Sequence, residues 1–292
     1  MINSFKKFYS KILLFGEYAI INGSEGLAIP LDSYYMQFTF EKDAHVFERS
    51  NELLVEYLKY VQLHTNNQIY NLLQFEKDIQ KGLLVSSTIP IGYGIGSSGA
   101  LVACFFDAYC IDKNHFESID VLKKELGLLE SYFHGASSGL DPLVSYLHQT
   151  VHIQSDGTCK AFAYNPTLNK TLSLFLVNSA IERRTAPLVA VYKEKLQKDS
   201  SFKSIIENQL FSLNHKIIQA YLAGDSSTYM QCFKEIATLQ FMHFKEMIPS
   251  SIQSLFNQEA YTMKICGAGG GGFFLGMGDA SAIKEYAVIP IG

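Results

Sequence analysis

Pro90-Ile91-Gly92-Tyr93-Gly94-Ile95-Gly96-Ser97-Ser98-Gly99-Ala100 is the stretch on which the reading of this chain turns. The apolar run Leu83-Leu84-Val85-Ser86-Ser87-Thr88 before it predicts a strand, and Leu101 through Cys110 after it predicts a largely buried helix. Gly92, Gly94 and Gly96 stand at alternate positions, where they free the backbone for positive φ and let a ligand approach closely. Ser97 and Ser98, followed by Gly99, stand where the helix begins, as candidate caps for its orphan N–H groups. A strand, a glycine-rich loop and a positive helix end together make an anion site, with phosphate as the favoured occupant.

Two rivals compete for the loop. Gly94-Ile95-Gly96-Ser97-Ser98-Gly99 also satisfies G-x-G-x-x-G, the dinucleotide fingerprint. That fold wants an acidic residue about 20 positions on, ending a second strand. Phe116 to Glu130 is instead charged and helical in pattern, and the Gly-Lys-Ser/Thr ending of a P-loop is absent. A structural turn feeding a core helix is the plain alternative for the loop taken alone.

Composition narrows the classes. The 292 residues are enough for one large domain or two smaller ones, and 48% hydrophobic with 18% charged residues is an ordinary soluble balance. A net charge of −4 argues against a general nucleic-acid binder, whose affinity comes from a basic face. The five cysteines are odd in number and scattered, so neither a disulfide framework nor a zinc site is indicated, and a reducing cytoplasm fits. Lys6, Lys7 and Lys11 before Ile12-Leu13-Leu14-Phe15 faintly imitate a signal peptide, but Gly16-Glu17 cuts the apolar run. No stretch approaches the ~20 apolar residues a membrane span needs, so no membrane partner is expected.

Residues 8–15 alternate and then run apolar, which predicts a strand followed by a turn at 16–23 that places Glu17 within reach of Lys11. Leu27 to Leu31 and Tyr34 to Phe40 predict two more strands, and Leu53 to Val61 a helix. Ile119 to Phe133 predicts a helix ending in His134-Gly135-Ala136-Ser137-Ser138-Gly139-Leu140-Asp141-Pro142, and Leu143 to Tyr146 begins a short helical segment. Ser155-Asp156-Gly157-Thr158 predicts a hairpin turn between strands at 151–154 and 159–163. Asn165-Pro166-Thr167-Leu168-Asn169 is read as the domain boundary, separating 1–164 from 165–292. A strand at 172–177, helices from 186 to 247 with breaks near Asp199 and Gly224, and strands at 261–266 and 273–275 complete the pattern.

Lys11 through Tyr18, Pro90 through Ala100, and Lys264 through Gly272 resemble, in that order, the three motifs of the GHMP small-molecule kinases. Glu130 through Asp141 is similar to the acidic helix end and HGxPSGxD segment of that family's mevalonate kinase branch. Arg183-Arg184-Thr185 is similar to the branch's RST segment, and the likeness spans about residues 9–276. It implies an α+β fold of two domains. The first is an N-terminal ATP-binding domain, ribosomal protein S5 domain 2-like; the second is a C-terminal ferredoxin-like α+β domain, with ATP between them.

The resemblance also implies ATP-dependent phosphorylation of the primary hydroxyl of mevalonate. Phosphomevalonate or another small hydroxy acid is the alternative acceptor, and a catalytically silent metabolite-sensing relative the alternative of another class. Gly92, Gly94, Gly96, Ser97, Ser98 and Gly99 would hold the phosphates, and Ser98 with Glu130 would hold Mg²⁺, a hard cation that prefers oxygen ligands. Asp141 would take or orient the alcohol's proton, and Lys11 would offset transition-state charge. Glu17, Tyr18, Arg183, Thr185, Gly267 and Ala268 fall on the substrate side, although Glu17 also suits a local salt bridge and His134 a helix-end hydrogen bond. The partner is a small molecule, and a homodimer is allowed.

The departures from the family pattern gather on the acceptor side. Tyr18 stands where His is usual, and Phe8-Tyr9-Ser10 where Pro-Gly precedes the lysine. Ala136-Ser137 replaces the proline region, Pro142 stands where Asn is common, and Asn178 where Asp is frequent.

Overall fold

A computed structural model of the chain describes residues 5–183, 185–256 and 258–292; Arg184 of the 183–185 segment lies outside them. The chain forms two compact units that interleave along it. The first comprises 30–90, 95–149 and the chain's start up to Lys11; the second comprises 12–29, 91–94 and 150–292.

The alternation over 8–15 forms strand β1 (Phe8–Phe15). The two strands expected at 27–40 are one, β2 (Gly26–Thr39), running through the exposed Asp32 and Ser33. Asp-Ser lacks the glycine or asparagine that a tight hairpin turn needs, so the chain stays extended. In the first unit β1 lies beside β2, where Ser10 donates to the Leu31 carbonyl at 3.0 Å. Helices α1 (Ser50–His64) and α2 (Leu72–Gln80) come next, before β3 (Leu84–Ser87), which pairs antiparallel with the end of β2. The polar interval after Val61 hides α2: Asn71 caps it at 3.1 Å, and Leu72, Phe75, Asp78 and Ile79 make its buried stripe.

Helix α3 (Ser97–Tyr109) is buried without interruption from Gly99 to Phe106, as its composition predicts. Helix α4 (Ile119–His134) is capped by Ser118 at 3.3 Å and buries Leu122, Leu126, Gly127, Leu129 and Glu130. The same periodicity that buries the leucines therefore carries a carboxylate inward. Helix α5 (Leu140–Leu147) starts after Gly139, whose φ is 74°. Phe75, Phe105 and Tyr109 fill the core, with ring centroids 4.7 to 5.6 Å apart.

In the second unit, β4 (Thr150–Ile153) pairs with the start of β2 and with β5 (Cys159–Phe162) across the predicted turn, where Gly157 has φ 84°. Asn165-Pro166, read as a boundary, opens α6 (Pro166–Thr171), with Asn165 as cap and proline at the helix start. Strand β6 (Leu174–Asn178) leads to α7 (Thr185–Lys198), α8 (Ser200–Ile205), α9 (Phe211–Ala223) and α10 (Ser226–His243). The predicted breaks are Asp199 and Asp225, which cap α8 and α10, and Gly224, which ends α9 in the left-handed region. Strands β7 (Tyr261–Ile265), β8 (Phe273–Gly278) and β9 (Val288–Pro290) then complete an antiparallel sheet in the order β7-β8-β6-β9. This is the ferredoxin-like succession, with its second helix reduced to a 3₁₀ turn at Ala280–Ala282.

Helices α3 and α5 meet at Gly99, where a Cβ would stand 2.7 Å from both the Asp141 carbonyl carbon and the Pro142 nitrogen. Those atoms are backbone and cannot rotate away. We expect Gly99→Ala to cost about 1–3 kcal/mol, read as a lower urea midpoint with an unchanged slope. An unchanged midpoint would show that the start of α5 can shift freely.

Candidate active site

The glycines of the loop adopt the positive φ their sequence predicts, but Ser97 and Ser98, expected as caps, are the first two residues inside α3, which has no side-chain capping hydrogen bond. Gly92, Gly94 and Gly96 have φ of 82°, 72° and 82°, and Gly96 occupies the N-cap position of α3. Helix geometry leaves the N–H groups of Ser97, Ser98 and Gly99 without intrahelical partners, at the positive end of a thirteen-residue helix. The Lys11 N–H donates to the Ile95 carbonyl at 2.9 Å, tying the loop to β1.

Lys11 and Asp141 meet beside that helix start. The Lys11 ammonium lies 2.8 Å from Asp141 Oδ2, and a Cβ on Gly96 would come 3.1 Å from Lys11 Cγ and 3.6 Å from Asp141 Oδ2. The expected Lys11–Glu17 proximity is replaced by two separate pairs, Lys11–Asp141 and Glu17–Lys264. Glu130 is only 3% exposed. Ser98 donates to its Oε1 at 2.8 Å, and Ser137 donates to its Oε2. Burial, and then the charge of Asp141, push the Glu130 carboxyl up to about 7, against the downward pull of Ser137, Ser98 and Lys11. His134 Nε2 lies 3.0 Å from Ser98 Oγ, the helix-end hydrogen bond expected of it.

The second unit holds the other residues singled out. Lys264 donates to Glu17 Oε1 at 2.5 Å and to the Ile265 carbonyl at 2.7 Å, with both side chains buried. Burial pushes the Glu17 carboxyl up, with Lys264 the main opposing influence. Tyr18, at φ 62°, is also buried. Its hydroxyl donates to the Ala268 carbonyl at 2.5 Å, and its ring packs on Tyr192 and Phe244. Both residues, expected at the substrate, are thus engaged in holding the 264–268 segment.

Arg183 joins the two glycine-rich stretches. Its guanidinium donates to the Cys266 carbonyl at 3.2 Å and the Gly94 carbonyl at 3.3 Å, while its N–H donates to Gly92 at 3.1 Å. Gly94 and Gly267 make room for it: a Cβ at either would fall 1.8 or 2.5 Å from guanidinium atoms. Among the described residues no carboxylate pairs with Arg183. Thr185 is exposed at the first position of α7.

The late glycine run serves close packing. A Cβ at Gly269, Gly271 or Gly272 would come 2.4, 2.5 or 2.4 Å from the carbonyl oxygens of Met247, Ile181 and Tyr93. Two participants escape the sequence reading. Lys264 opens the third motif-like stretch but is given no role there, and Ser137 is signalled only as a serine where the family pattern has proline.

Residues 54–149 match the family described as GHMP kinases N terminal domain. The chain is 26% identical to mevalonate kinase of Thermococcus sibiricus, an alignment covering 97% of this chain and 93% of that one. Its fold is similar to that of L. major mevalonate kinase in complex with R-mevalonate, with a TM-score of 0.66, 16% identity, and 96% and 88% of the two chains covered. It is also similar to Streptococcus pneumoniae phosphomevalonate kinase in complex with phosphomevalonate and AMPPNP, with a TM-score of 0.59, 15% identity, and 95% and 93% covered. The chain is thus similar to the GHMP kinases, over the N-terminal domain match at 54–149 and along almost the whole length of a mevalonate kinase. The Thermococcus relative, aligned along almost its whole length, carries the name mevalonate kinase.

Glu130 makes stability depend on pH in a predictable direction. Its carboxyl holds a proton in the folded chain up to about 7 and, unfolded, only to about its ordinary 4.5. The folded state therefore binds more protons between these values, and stability is lost as pH rises through them, by up to about 3 kcal/mol. In chelator-containing buffer, Glu130→Gln should remove that part of the loss, measured by urea midpoints at both ends of the window. Parallel profiles for the variant and the parent would show that Glu130 is ionised in the fold throughout.

Proposed function

We propose that the chain phosphorylates the primary hydroxyl of mevalonate with ATP, giving phosphomevalonate and ADP. The observation that carries the reading is the Lys11–Asp141 pair, 2.8 Å long, beside the glycine-capped start of α3. The near full-length similarity to a mevalonate kinase supports the choice of acceptor.

The N–H groups at the start of α3, with Gly92, Gly94 and Gly96 around them, bind the phosphates of ATP. Asp141 orients the alcohol and accepts its proton as the oxygen attacks the γ-phosphorus and the bond to the ADP oxygen breaks. Lys11 balances Asp141 and stabilises the charge that develops on the transferring group. Ser98 and Glu130 fit Mg²⁺, being oxygen donors 2.8 Å apart with the carboxylate of Asp141 nearby. Among the described residues no group of three or more His, Cys, Asp or Glu side chains stands ready to hold a metal, so phosphate oxygens and water would complete the shell. Held by Ser98 and Glu130, Mg²⁺ would neutralise phosphate charge.

Arg183, which pairs with no carboxylate among the described residues, is the residue we assign to the acceptor's carboxylate, with Thr185, Gly267 and Ala268 lining the same substrate. Glu17 and Tyr18 serve that substrate by holding the 264–268 segment. We assign 1–164 to the ATP-binding domain and 165–292 to the C-terminal domain, since all four strands of the second sheet fall after 165. Among the described residues no helix is long and apolar enough to cross a membrane. Among the described residues the five cysteines form no disulfide, which suits the cytoplasm, the compartment we propose.

ADP release should be fastest with mevalonate in a panel that includes phosphomevalonate and other hydroxy acids. Faster turnover of phosphomevalonate would overturn the acceptor while leaving the kinase.

Asp141→Asn should lower kcat by about 10²–10⁴-fold with ATP affinity unchanged, because proton acceptance is lost only in the transition state. Near-parental kcat in that variant would remove Asp141 from the chemistry.

A further inference from the structure

We infer that Ser137 is a positioning residue for the Glu130 carboxylate, fixing the plane in which this chain presents its acidic ligand to the divalent cation; the inference rests on the kinase reading above. Glu130 reaches inward from the buried stripe of α4, where no solvent holds its carboxylate in one orientation. Two hydroxyls do so instead, Ser98 on Oε1 and Ser137 on Oε2. Their duties differ. Ser98 is itself a proposed metal ligand and also meets His134 at 3.0 Å. The Ser137 oxygen also accepts the Gly139 N–H at 3.0 Å, while its own proton is directed onto Glu130.

Backbone contacts hold Ser137 in place. The 135–139 turn is pressed against α4, and a Cβ on Gly127 would come 3.1 Å from the Ser137 carbonyl oxygen. A Cβ on Gly139 would fall 2.0 Å from the Lys123 carbonyl oxygen, and Gly139 holds φ 74°. The hydroxyl is therefore delivered to Glu130 by the path of the main chain. If the Ser98 oxygen turns to a cation, Ser137 remains to hold the carboxylate, and its hydrogen bond leaves the other lone pairs of Glu130 open to the ion. Ser137 lies in the segment where this chain departs from the family's proline, so the contact belongs to this sequence and not to the motif.

The test uses Mn²⁺ with ADP and reads the ternary complex by water-proton relaxation enhancement, independently of turnover. Ser137→Ala should weaken Mn²⁺ binding about tenfold, the usual effect of removing a group that orients a metal ligand. Ser137→Thr, which keeps the hydroxyl, should restore it, and the far-UV circular dichroism of Ser137→Ala should match the parent's. In a Glu130→Gln background, Ser137→Ala should weaken binding no further. Mn²⁺ affinity of Ser137→Ala within twofold of the parent, failure of the Thr rescue, or an equal extra loss in the Glu130→Gln background would each overturn the assignment. If the parent protein forms no Mn²⁺–ADP complex at all, the kinase reading falls first. If the parent forms it and Ser137→Ala leaves it intact, only the role of Ser137 falls.

Discussion

The approach of α5 to α3 at Gly99, with no Cβ between the two backbones, decides where Asp141 stands. Asp141 is the second residue of α5, so its carboxylate position follows from where that helix begins. Gly139 sets the beginning by adopting a left-handed φ against α4, and Gly99 sets the distance to α3. Lys11 arrives from β1, whose N–H at that residue also holds the Ile95 carbonyl. A 2.8 Å ion pair next to an open helix N-terminus thus results from backbone packing, and its two side chains need little adjustment to meet. Groups placed by main-chain contacts lose little entropy when they act, which is the physical meaning of a preorganised site.

The two units treat buried charge in opposite ways. Glu17 and Lys264 form a closed pair: each is buried, each has the other, and the ammonium has a carbonyl besides. Breaking such a pair leaves a bare charge, which makes it structurally costly to alter and chemically inert. Glu130 has hydroxyls for partners and another carboxylate nearby, so its negative charge is only partly met. Lys11 is already paired with Asp141. Two carboxylates here share one ammonium and two hydroxyls, so their charges are not matched one to one. Imbalance of this kind, more than burial itself, separates a site from a salt bridge.

The glycine loop, β1, α3, α4 and the capped helices from Asp199 to His243 are legible in the sequence because each rests on local chemistry: alternation, caps and glycine punctuation. Helix α2 is not, since its nine residues follow an asparagine-rich interval that reads as loop. The merging of two expected strands into β2 is decided by pairing with neighbours, which no local window contains. Residue types at the site are legible, while their partners are less so. Glu17 and Lys264 are 247 positions apart, and nothing in either neighbourhood announces the other. The glycines of 269–272 belong to a stretch that resembles a family motif, yet three of them face carbonyl oxygens of distant segments. Glycine content reports that something approaches closely without saying whether it is ligand or chain.

The departures from the family pattern are absorbed where they occur. Pro142 falls in the first turn of α5, where the missing N–H would have had no intrahelical partner, and its ring nitrogen is the atom that faces Gly99. Tyr18 holds an unfavourable left-handed φ, offset by its hydrogen bond to Ala268 and by two ring contacts. Burial raises its phenol far above neutral pH, so it stays an uncharged donor where a histidine would titrate. Ser137 replaces a ring that fixes backbone with a hydroxyl that fixes a carboxylate. None of these changes removes an oxygen donor from the Lys11, Ser98, Glu130 and Asp141 cluster. Variation at these positions is therefore compatible with an unaltered Lys11–Asp141 and Ser98–Glu130 arrangement, because that arrangement depends on α3, α4 and α5 meeting through glycine and not on the side chains that vary.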